Sequence, residues 1–297
     1  MILRQETGGI LLTETKNFHI GDILECGQCF RFERQGDMEY SLIAFGKVLH
    51  IRQNALDVRF QYPDALLTIA EFDNIWRPFF DLERDYAAIL GKICEKDPVL
   101  TAAADFAPGI RLLKQDPWET IISFIISQNN RIPQIKSVIK NISQRFGTQI
   151  DDFHHAFPTV DQLFVATETD LRDCKAGFRA GYIMDATRKA SAGELPPERD
   201  NNLPTEQLRQ QLLNVRGIGE KVAHCILLFG YGRYDCFPVD TWVRKVMEQY
   251  YFDDEPTKPD VILDFAKQHF GQHAGFAQQY LFHYIRMKNK ENANNSK

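Results

Sequence analysis

The hydrophobic pattern of this 297-residue chain changes period once, near residue 84, and that change constrains its architecture more than any other feature. Before it, short strand-like runs occur at CFRFE (29–33), YSLIAF (40–45), KVLHI (47–51) and ALDVRF (55–60). Gln35-Gly36-Asp37, Gly46 and Gln53-Asn54 separate them at hairpin intervals, the layout of an antiparallel β-meander. Several runs do not alternate cleanly between apolar and polar residues, so their registers stay open. After the change the period is helical. Asp116-Pro117-Trp118-Glu119 is a helix start, with Asp as N-cap, Pro at N1 and Glu at N3, and the apolar run IISFII follows. Further helices are predicted over 132–146, 160–166, 168–174, 179–192, 205–215, 220–229, 240–250, 259–269 and 274–287. Strands gathered at one end and helices at the other predict an α+β chain, with an N-terminal antiparallel β-sheet domain over 1–105 and an all-α body over 106–287. Gly-Glu-Leu-Pro-Pro-Glu (193–198) reads as a loop within the helical part. The tail 288–297 (KNKENANNSK) has nothing to bury and is expected to be disordered.

Bulk properties exclude several classes. A hydrophobic content of 44% and a charged content of 25% describe an ordinary globular protein. No apolar run approaches the roughly 18 residues of a membrane span, and MILRQETGG lacks the basic-then-apolar layout of a signal peptide, so the expected location is the cytoplasm. Six scattered cysteines do not form a disulfide framework. Cys26 and Cys29 make a C-x-x-C with no second pair to complete a metal site, and they read as strand residues. The net charge of −5 argues against a generic DNA-coating protein. Arg131, Lys136, Lys140 and Arg145 nevertheless form a basic run without an acidic residue, which reads equally as a nucleic-acid face or a solvated helix face.

The strongest chemical signal is LLNVRGIGEKVAHCILLFG (212–230), followed by PVDTWVRK (238–245). A helix end, a Gly-x-Gly turn and a second helix that opens with Lys221 form a phosphate clamp. Gly217 and Gly219 can take positive φ and let a phosphate approach the main chain, while free N–H groups at the next helix start face the anion. Such affinity is directed at the backbone and independent of sequence. Asp240 lies nineteen residues beyond Lys221 and brings a carboxylate to the same site. On residues alone, Lys221 also reads as a phosphate-binding lysine and Asp240 as an N-cap.

Taken in order, GQCFRF (27–32), QDPWETIISFIISQNN (115–130), GFRAGY (177–182), the hairpin with Pro238-Val239-Asp240, and GFAQQYLFHYIR (275–286) resemble the 8-oxoguanine DNA glycosylase/AP lyase family of the helix–hairpin–helix superfamily. The resemblance covers nearly the whole chain. It implies a sheet domain joined to an all-α helix–hairpin–helix glycosylase body with the catalytic cleft between helical subdomains. The partner it implies is double-stranded DNA containing an oxidised purine. The protein is expected to act as a monomer, in the cytoplasm and away from any membrane, without a cofactor or catalytic metal.

The chemistry of such a site follows from the residues. A base inside a duplex is unreachable, so the nucleotide must be extruded into a pocket while the distorted backbone is held. Lys221 would attack the sugar C1′, form a Schiff base and permit β-elimination, which cuts the strand. An ordinary lysine, with a pKa of roughly 10.4, offers about one free amine in 2,500 at pH 7. A depressed pKa would help, and a helix N-terminus pushes that way. Asp240 would steady positive charge on the sugar, although its own charge favours the ammonium form of Lys221.

By resemblance, Gly27, Cys225, Gln278 and Phe282 form the base pocket. Cys225 and Phe282 would sandwich the base, Gln278 would read the Watson–Crick edge, and the Gly27 carbonyl would accept the N7 proton that 8-oxoguanine has and guanine lacks. Gln278 and Phe282 are i and i+4 on one helix face. Without the family, Cys225 and Phe282 read as core and Gln278 as surface. Asn129 would fill the gap left by the extruded nucleotide, with Phe178 as a wedge, Arg172 beside the orphaned base and Arg179 among the DNA contacts; a helix C-cap is the other reading of Asn129. Two positions depart from the eukaryotic pattern: Gln134 stands where those members have an arginine facing the opposite cytosine, and Trp242 where they have a histidine. Two alternatives remain from the sequence, a monofunctional glycosylase for alkylated bases on the same fold and a non-catalytic DNA-binding protein.

Overall fold

In the computed structural model, which describes residues 1–196, 199 and 202–295, the sheet begins earlier than its pattern suggests. β1 (Ile2–Glu6) and β2 (Gly9–Thr13) form a hairpin ahead of the predicted meander, which consists of β3 (Phe32–Gly36), β4 (Glu39–Ala44), β5 (Lys47–Asn54) and β6 (Asp57–Gln61). The six strands are antiparallel in the order β1-β2-β6-β5-β4-β3. Registry of Tyr40 with Ile51, of Ile51 with Phe60 and of Phe60 with Ile10 lines up one buried row across four strands. That row is covered by α1 (Ile20–Glu25) and by the turns α2 (Ile69–Glu71), a π turn (Phe72–Trp76) and α3 (Arg77–Phe79). Phe60 packs on Phe72 and Phe80 with ring centroids 5.1 and 5.5 Å apart, so the second sheet face of a two-layer core is replaced by aromatic turns.

The predicted strand CFRFE is only half a strand. β3 starts at Phe32, whereas Cys26 C-caps α1 and Cys29 lies buried in the loop that follows. The reason is Gln28, fully buried in that loop, whose Nε2 donates to the carbonyls of Ile23 and Arg111 (both 2.8 Å) and whose Oε1 accepts from Leu113 N (2.8 Å). These bonds fold the loop back onto the helical body and take it out of the ladder.

The helical part follows the predicted elements closely. α4 (Tyr86–Cys94) and α5 (Pro98–Phe106), which a boundary at residue 105 would group with the sheet, bury Tyr86, Ile89, Leu100 and Ala103 in the helical core. α6 (Pro117–Ser127) starts as expected, Asp116 Oδ1 accepting from Glu119 N at 2.8 Å. α7 (Ile132–Phe146), α8 (Val160–Phe164), α9 (Glu168–Asp173) and α10 (Ala180–Ser191) follow, then α11 (Thr205–Leu213) and α12 (Glu220–Cys225), which runs into a π turn (Ile226–Gly230). α13 (Thr241–Tyr251), α14 (Pro259–His269) and α15 (Ala274–Asn295) complete the chain. The loop expected at 193–198 is present through Pro196; its last two residues lie outside the described residues. The tail is a correction. α15 continues helical to Asn295, because its added turns are tethered: Lys245 Nζ donates to Asn289 Oδ1 (2.8 Å) and Lys288 Nζ lies 4.3 Å over the Tyr284 ring. Among the described residues, no helix is long and apolar enough to cross a membrane.

Sheet and helices are joined by a buried polar seam. Arg111, 1% exposed, donates from Nε to Phe80 O (3.0 Å), from Nη1 to Asn17 O (3.0 Å), and from Nη2 to the carbonyls of Asp81 and Arg84, while its guanidinium stacks 4.0 Å from the Tyr86 ring. Burial pulls its pKa down, yet hydrogen bonds to carbonyls keep the cation solvated. Arg111→Met leaves those carbonyls without donors, and we expect it to destabilise the protein by about 3–5 kcal/mol in urea unfolding, as for a broken buried charge network. A loss below about 1 kcal/mol would show that other donors replace the guanidinium.

Candidate active site and DNA-facing hairpin

α11 and α12 enclose the turn Asn214–Gly219, and its shape is imposed from α10. At Gly217, φ is +85°, and a Cβ there would stand 2.3 Å from Tyr182 Cδ2, so both the backbone conformation and the aromatic ring require glycine. Asp185, one turn beyond Tyr182, accepts from Arg216 N (2.8 Å) and from Lys189 Nζ (3.0 Å), and Lys189 also reaches the Asn214 carbonyl. Arg209 bonds Glu220 across the hairpin at 2.5 Å. Gly219 is a correction to the expected pair of left-handed glycines. Its backbone is extended (φ −99°, ψ 179°), and it N-caps α12 without a side chain, which leaves open space and unfilled N–H groups at the helix start.

Lys221 sits in the first turn of α12, partly buried. The Cys225 sulfur one turn on raises its pKa, burial works against this, and Asp240 adds a further rise, so the amine stands above its ordinary 10.5. The depressed pKa that would help a nucleophilic lysine is opposed here, because the neighbours of Lys221 are a thiol and a carboxylate. Burial pushes the Cys225 thiol up to about 11, which makes it neutral near pH 7 and leaves Asp240 as the charged partner. Asp240 N-caps α13, its Oδ1 accepting from Trp242 N (2.9 Å) and Val243 N (2.8 Å). The N-cap reading of this residue therefore holds, and its charge also acts on Lys221. Burial raises its pKa, opposed first by the Val243 N–H, then by Lys221, the Trp242 N–H and Arg286.

Two of the residues expected from resemblance to line a base pocket, Gly27 and Phe282, meet across the seam. Gly27 has φ +87°, and a Cβ on it would lie 3.2 Å from Phe282 Cε1. Residues separated by most of the chain are therefore in contact. Gln278, one turn before Phe282 on α15, is 5% exposed and is not a surface residue; its Oε1 is buried and has no hydrogen-bond partner among the described residues. A buried amide oxygen without a donor is costly, and it suits a site that waits for one. Cys225 is also buried.

Residues that the sequence did not single out hold this pocket in place. Gln279 Nε2 donates to Cys26 O (2.8 Å), Gln115 Nε2 to Gln28 O (2.8 Å), and Arg286 Nη1 to Glu25 O (3.1 Å), with the Arg286 guanidinium 5.9 Å from the Phe282 ring. Together they clamp both sides of Gly27. Tyr182, Gln279 and Arg286 lie within the motifs that carried the resemblance, but nothing in their local pattern reveals the partner, which is distant in sequence.

The presumed DNA contacts divide. Asn129 is exposed with φ +46°, and Asn129, Asn130, Arg131 and Gln134 line one shallow surface depression. Phe178 is 52% exposed and packs edge-on against Tyr182, the ring that seats Gly217, so wedge and hairpin share a support. Arg179 is a correction: it is buried, donating from Nε to Gln128 O (2.9 Å) and from Nη2 to Asn129 O (2.9 Å), and so positions Asn129 in place of a phosphate contact. Arg172 is exposed and paired with Glu168 at 2.5 Å. Of the basic run at α7, Arg131 stays exposed beside Asn129, whereas the other three make contacts within the protein. Lys136 donates to Phe32 O (2.8 Å), Lys140 approaches Glu33 (3.8 Å), and Arg145 pairs with Asp170 and Asp173, so these side chains join α7 to β3 and α9. Among the described residues, no group of three or more His, Cys, Asp or Glu is placed to hold a metal ion.

Comparison with known proteins agrees with this geometry. Residues 10–121 match the family described as "8-oxoguanine DNA glycosylase, N-terminal domain", and residues 122–268 match "HhH-GPD superfamily base excision DNA repair protein". The crystal structure of the Clostridium acetobutylicum 8-oxoguanine glycosylase/lyase, in complex with double-stranded DNA containing cytosine opposite 8-oxoguanine, superposes with a TM-score of 0.91 at 41% identity, covering 97% of this chain and 99% of that one. A probable N-glycosylase/DNA lyase from Methanothermobacter thermautotrophicus is 31% identical over 70% of this chain and 71% of its own length. The Arabidopsis thaliana N-glycosylase/DNA lyase OGG1 is 29% identical over 86% of this chain and 74% of its own. An antiparallel sheet joined to helices, a Gly-x-Gly hairpin opening on Lys221, and identity above 30% across more than two thirds of a relative together place this chain in the 8-oxoguanine DNA glycosylase/AP lyase family of the helix–hairpin–helix superfamily.

Proposed function

We propose that this protein removes 8-oxoguanine from duplex DNA with Lys221 as nucleophile and then cuts the abasic strand, acting as a monomer on cytoplasmic or chromosomal DNA. What supports this reading is the electrostatic coupling of Asp240 to Lys221, together with the contact between Gly27 and Phe282 and a Gln278 amide oxygen that has no donor among the described residues. The helix start at Gly219 and the turn at Gly217 hold the backbone, and Phe178 and Asn129 occupy the space that the extruded nucleotide leaves. The base lies between Cys225 and Phe282. Gln278 accepts from its Watson–Crick edge, and the Gly27 carbonyl accepts the N7 proton that distinguishes it from guanine.

Neutral Lys221 forms a bond to C1′ as the C1′–N9 bond breaks, and the electron pair leaves with the purine, which takes up a proton. Asp240 lowers the energy of the cationic sugar formed on the way. Ring opening yields a Schiff base, and removal of a C2′ proton expels the 3′ phosphate by β-elimination. The DNA-free site holds Lys221 as an ammonium, so the proton must leave before attack. A monofunctional glycosylase for alkylated bases has no need of a lysine beside the aspartate, and Lys221 disfavours that reading.

Duplexes bearing 8-oxoguanine, a 3-methyladenine-type lesion or an abasic site test the proposal directly. We expect base loss and strand cleavage on the first, cleavage on the third, and neither on the second. Lys221→Gln should abolish both steps while duplex binding survives; unchanged activity would put the nucleophile elsewhere.

The electrostatics make a separate prediction. In the DNA-free protein the Lys221 amine, followed by NMR of its carbon-13-labelled dimethyl derivative, should titrate above 10.5. Asp240→Asn, which removes a negative charge, should lower that value while slowing base removal far more than binding. A titration near 7 in the free protein would contradict the arrangement, as would an Asp240→Asn variant with equal losses in binding and rate.

Gln134 bears on the opposite strand. An arginine fork offers fixed charged donors to cytosine, whereas a glutamine amide can rotate to donate or accept. Losing one such contact removes about tenfold or more of discrimination. Single-turnover rates with the lesion opposite each base should therefore show only a weak preference for cytosine, and Gln134→Arg should sharpen it. A wild-type preference above roughly a hundredfold would show that other residues compensate.

A further inference from the structure

A cavity of about 160 Å³ lies between β3, β4, α7 and the segment Phe153–His155, and its lining shares no residue with the Lys221 site. Phe30, Phe32, Ile43 and Ile139 form its apolar walls, and Phe153, 78% exposed, stands at its rim. Three polar atoms of its lining residues are buried and have no hydrogen-bond partner among the described residues: Ser41 Oγ from β4, Ser143 Oγ from α7, and His155 Nδ1. Isolated orphans of this kind are rare in folded proteins, because each forfeits its solvation. Here the three residues line one void.

Lys136 adds charge to the same wall. Its Nζ donates to Phe32 O (2.8 Å) and lies 3.3 Å over the Phe32 ring, while burial lowers its pKa. Among the described residues no carboxylate pairs with it; Glu33, the acidic residue of the lining, is exposed and approaches Lys140 at 3.8 Å. The ammonium has two further N–H groups, and each serine can donate its proton. Unmet donors on two elements that line one void call for an acceptor with two oxygens and a negative charge. The walls are aromatic and aliphatic, and an apolar cavity of about 150 Å³ accommodates one benzene ring. His155 Nδ1 can bond a ring nitrogen or substituent.

We propose that the cavity between β3–β4 and α7 is a binding site for a small aromatic monocarboxylate, seated on Phe32 and Ile139 with its carboxylate shared by Lys136, Ser41 and Ser143. Occupancy ties the sheet edge to α7, the helix whose first turns carry Gln134.

Benzoate is the probe, added to the full-length protein and followed by calorimetry and by amide NMR shifts. Benzamide has the same shape without charge, and acetate has the charge without the ring. We expect saturable benzoate binding that shifts amides within 41–43 and 136–143, and binding of benzamide and acetate weaker by about tenfold or more. Lys136→Met should weaken benzoate to the same degree, and Ser143→Leu, which fills the void, should abolish it. If Ser143→Leu does not fold, Lys136→Met and the benzamide comparison decide alone. Absence of saturable binding would mean that the cavity is merely hydrated. Equal affinity for benzamide, or shifts centred on Lys221 and Gln278, would equally overturn the assignment.

Discussion

A pocket built from two modules is only as well defined as the joint between them, and here that joint is a buried guanidinium. Arg111 carries its charge into the interior with no carboxylate bonded to it, and the carbonyls of Asn17, Phe80, Asp81 and Arg84 act as its solvent. Leu112 N donates to Tyr86 OH, and the Arg111 carbonyl accepts from Gln28, so the same short segment grips both sides. This matters for function because Gly27 comes from the sheet module, whereas Gln278 and Phe282 come from the last helix. Reading of a purine by a single carbonyl, as proposed for Gly27, requires that carbonyl to stay within a fraction of an ångström, and amide side chains bonded to the flanking carbonyls hold its loop.

The second organising feature is an electrostatic opposition. A nucleophilic amine needs to lose its proton, yet a cationic sugar needs a carboxylate beside it, and Asp240 cannot serve the second demand without resisting the first. Cys225 and Asp240 together outweigh burial, and Lys221 is held as an ammonium. Capping of α13 through one oxygen fixes Asp240 in space, so its position is inherited from secondary structure and does not depend on a flexible loop. The same economy operates at the hairpin, where Tyr182 both seats Gly217 and supports the exposed Phe178.

What could be read from the sequence was whatever lies within one element or one turn. The start of α6 was legible because its cap, proline and acidic residue are contiguous, and the limits of α7 because its apolar period is clean. Lys221 and Asp240 stood out because both flank helix starts in a short span. Properties set by distant partners were not legible. Three of the four basic residues of the run at α7 show their partners only once β3 and α9 are seen beside it, and Arg179 reads as a phosphate ligand until the carbonyls of Gln128 and Asn129 are found within its reach. Gly219 could be given the wrong backbone because only Gly217 faces a ring that forbids a Cβ. The contact between Gly27 and Phe282 joins opposite ends of the chain, and only resemblance to a family made it foreseeable. The helical tail escaped notice because its tethers, Lys245 and Tyr284, lie outside the segment itself.

The central claim is that one amine, held as an ammonium until a flipped nucleotide arrives, attacks the sugar. Borohydride reduction of the protein on an 8-oxoguanine duplex, followed by proteolysis and mass spectrometry of the cross-linked peptide, locates that amine. The adduct is expected on Lys221 alone. An adduct on another lysine or on the N-terminal amine, or efficient base loss without any adduct, would contradict it.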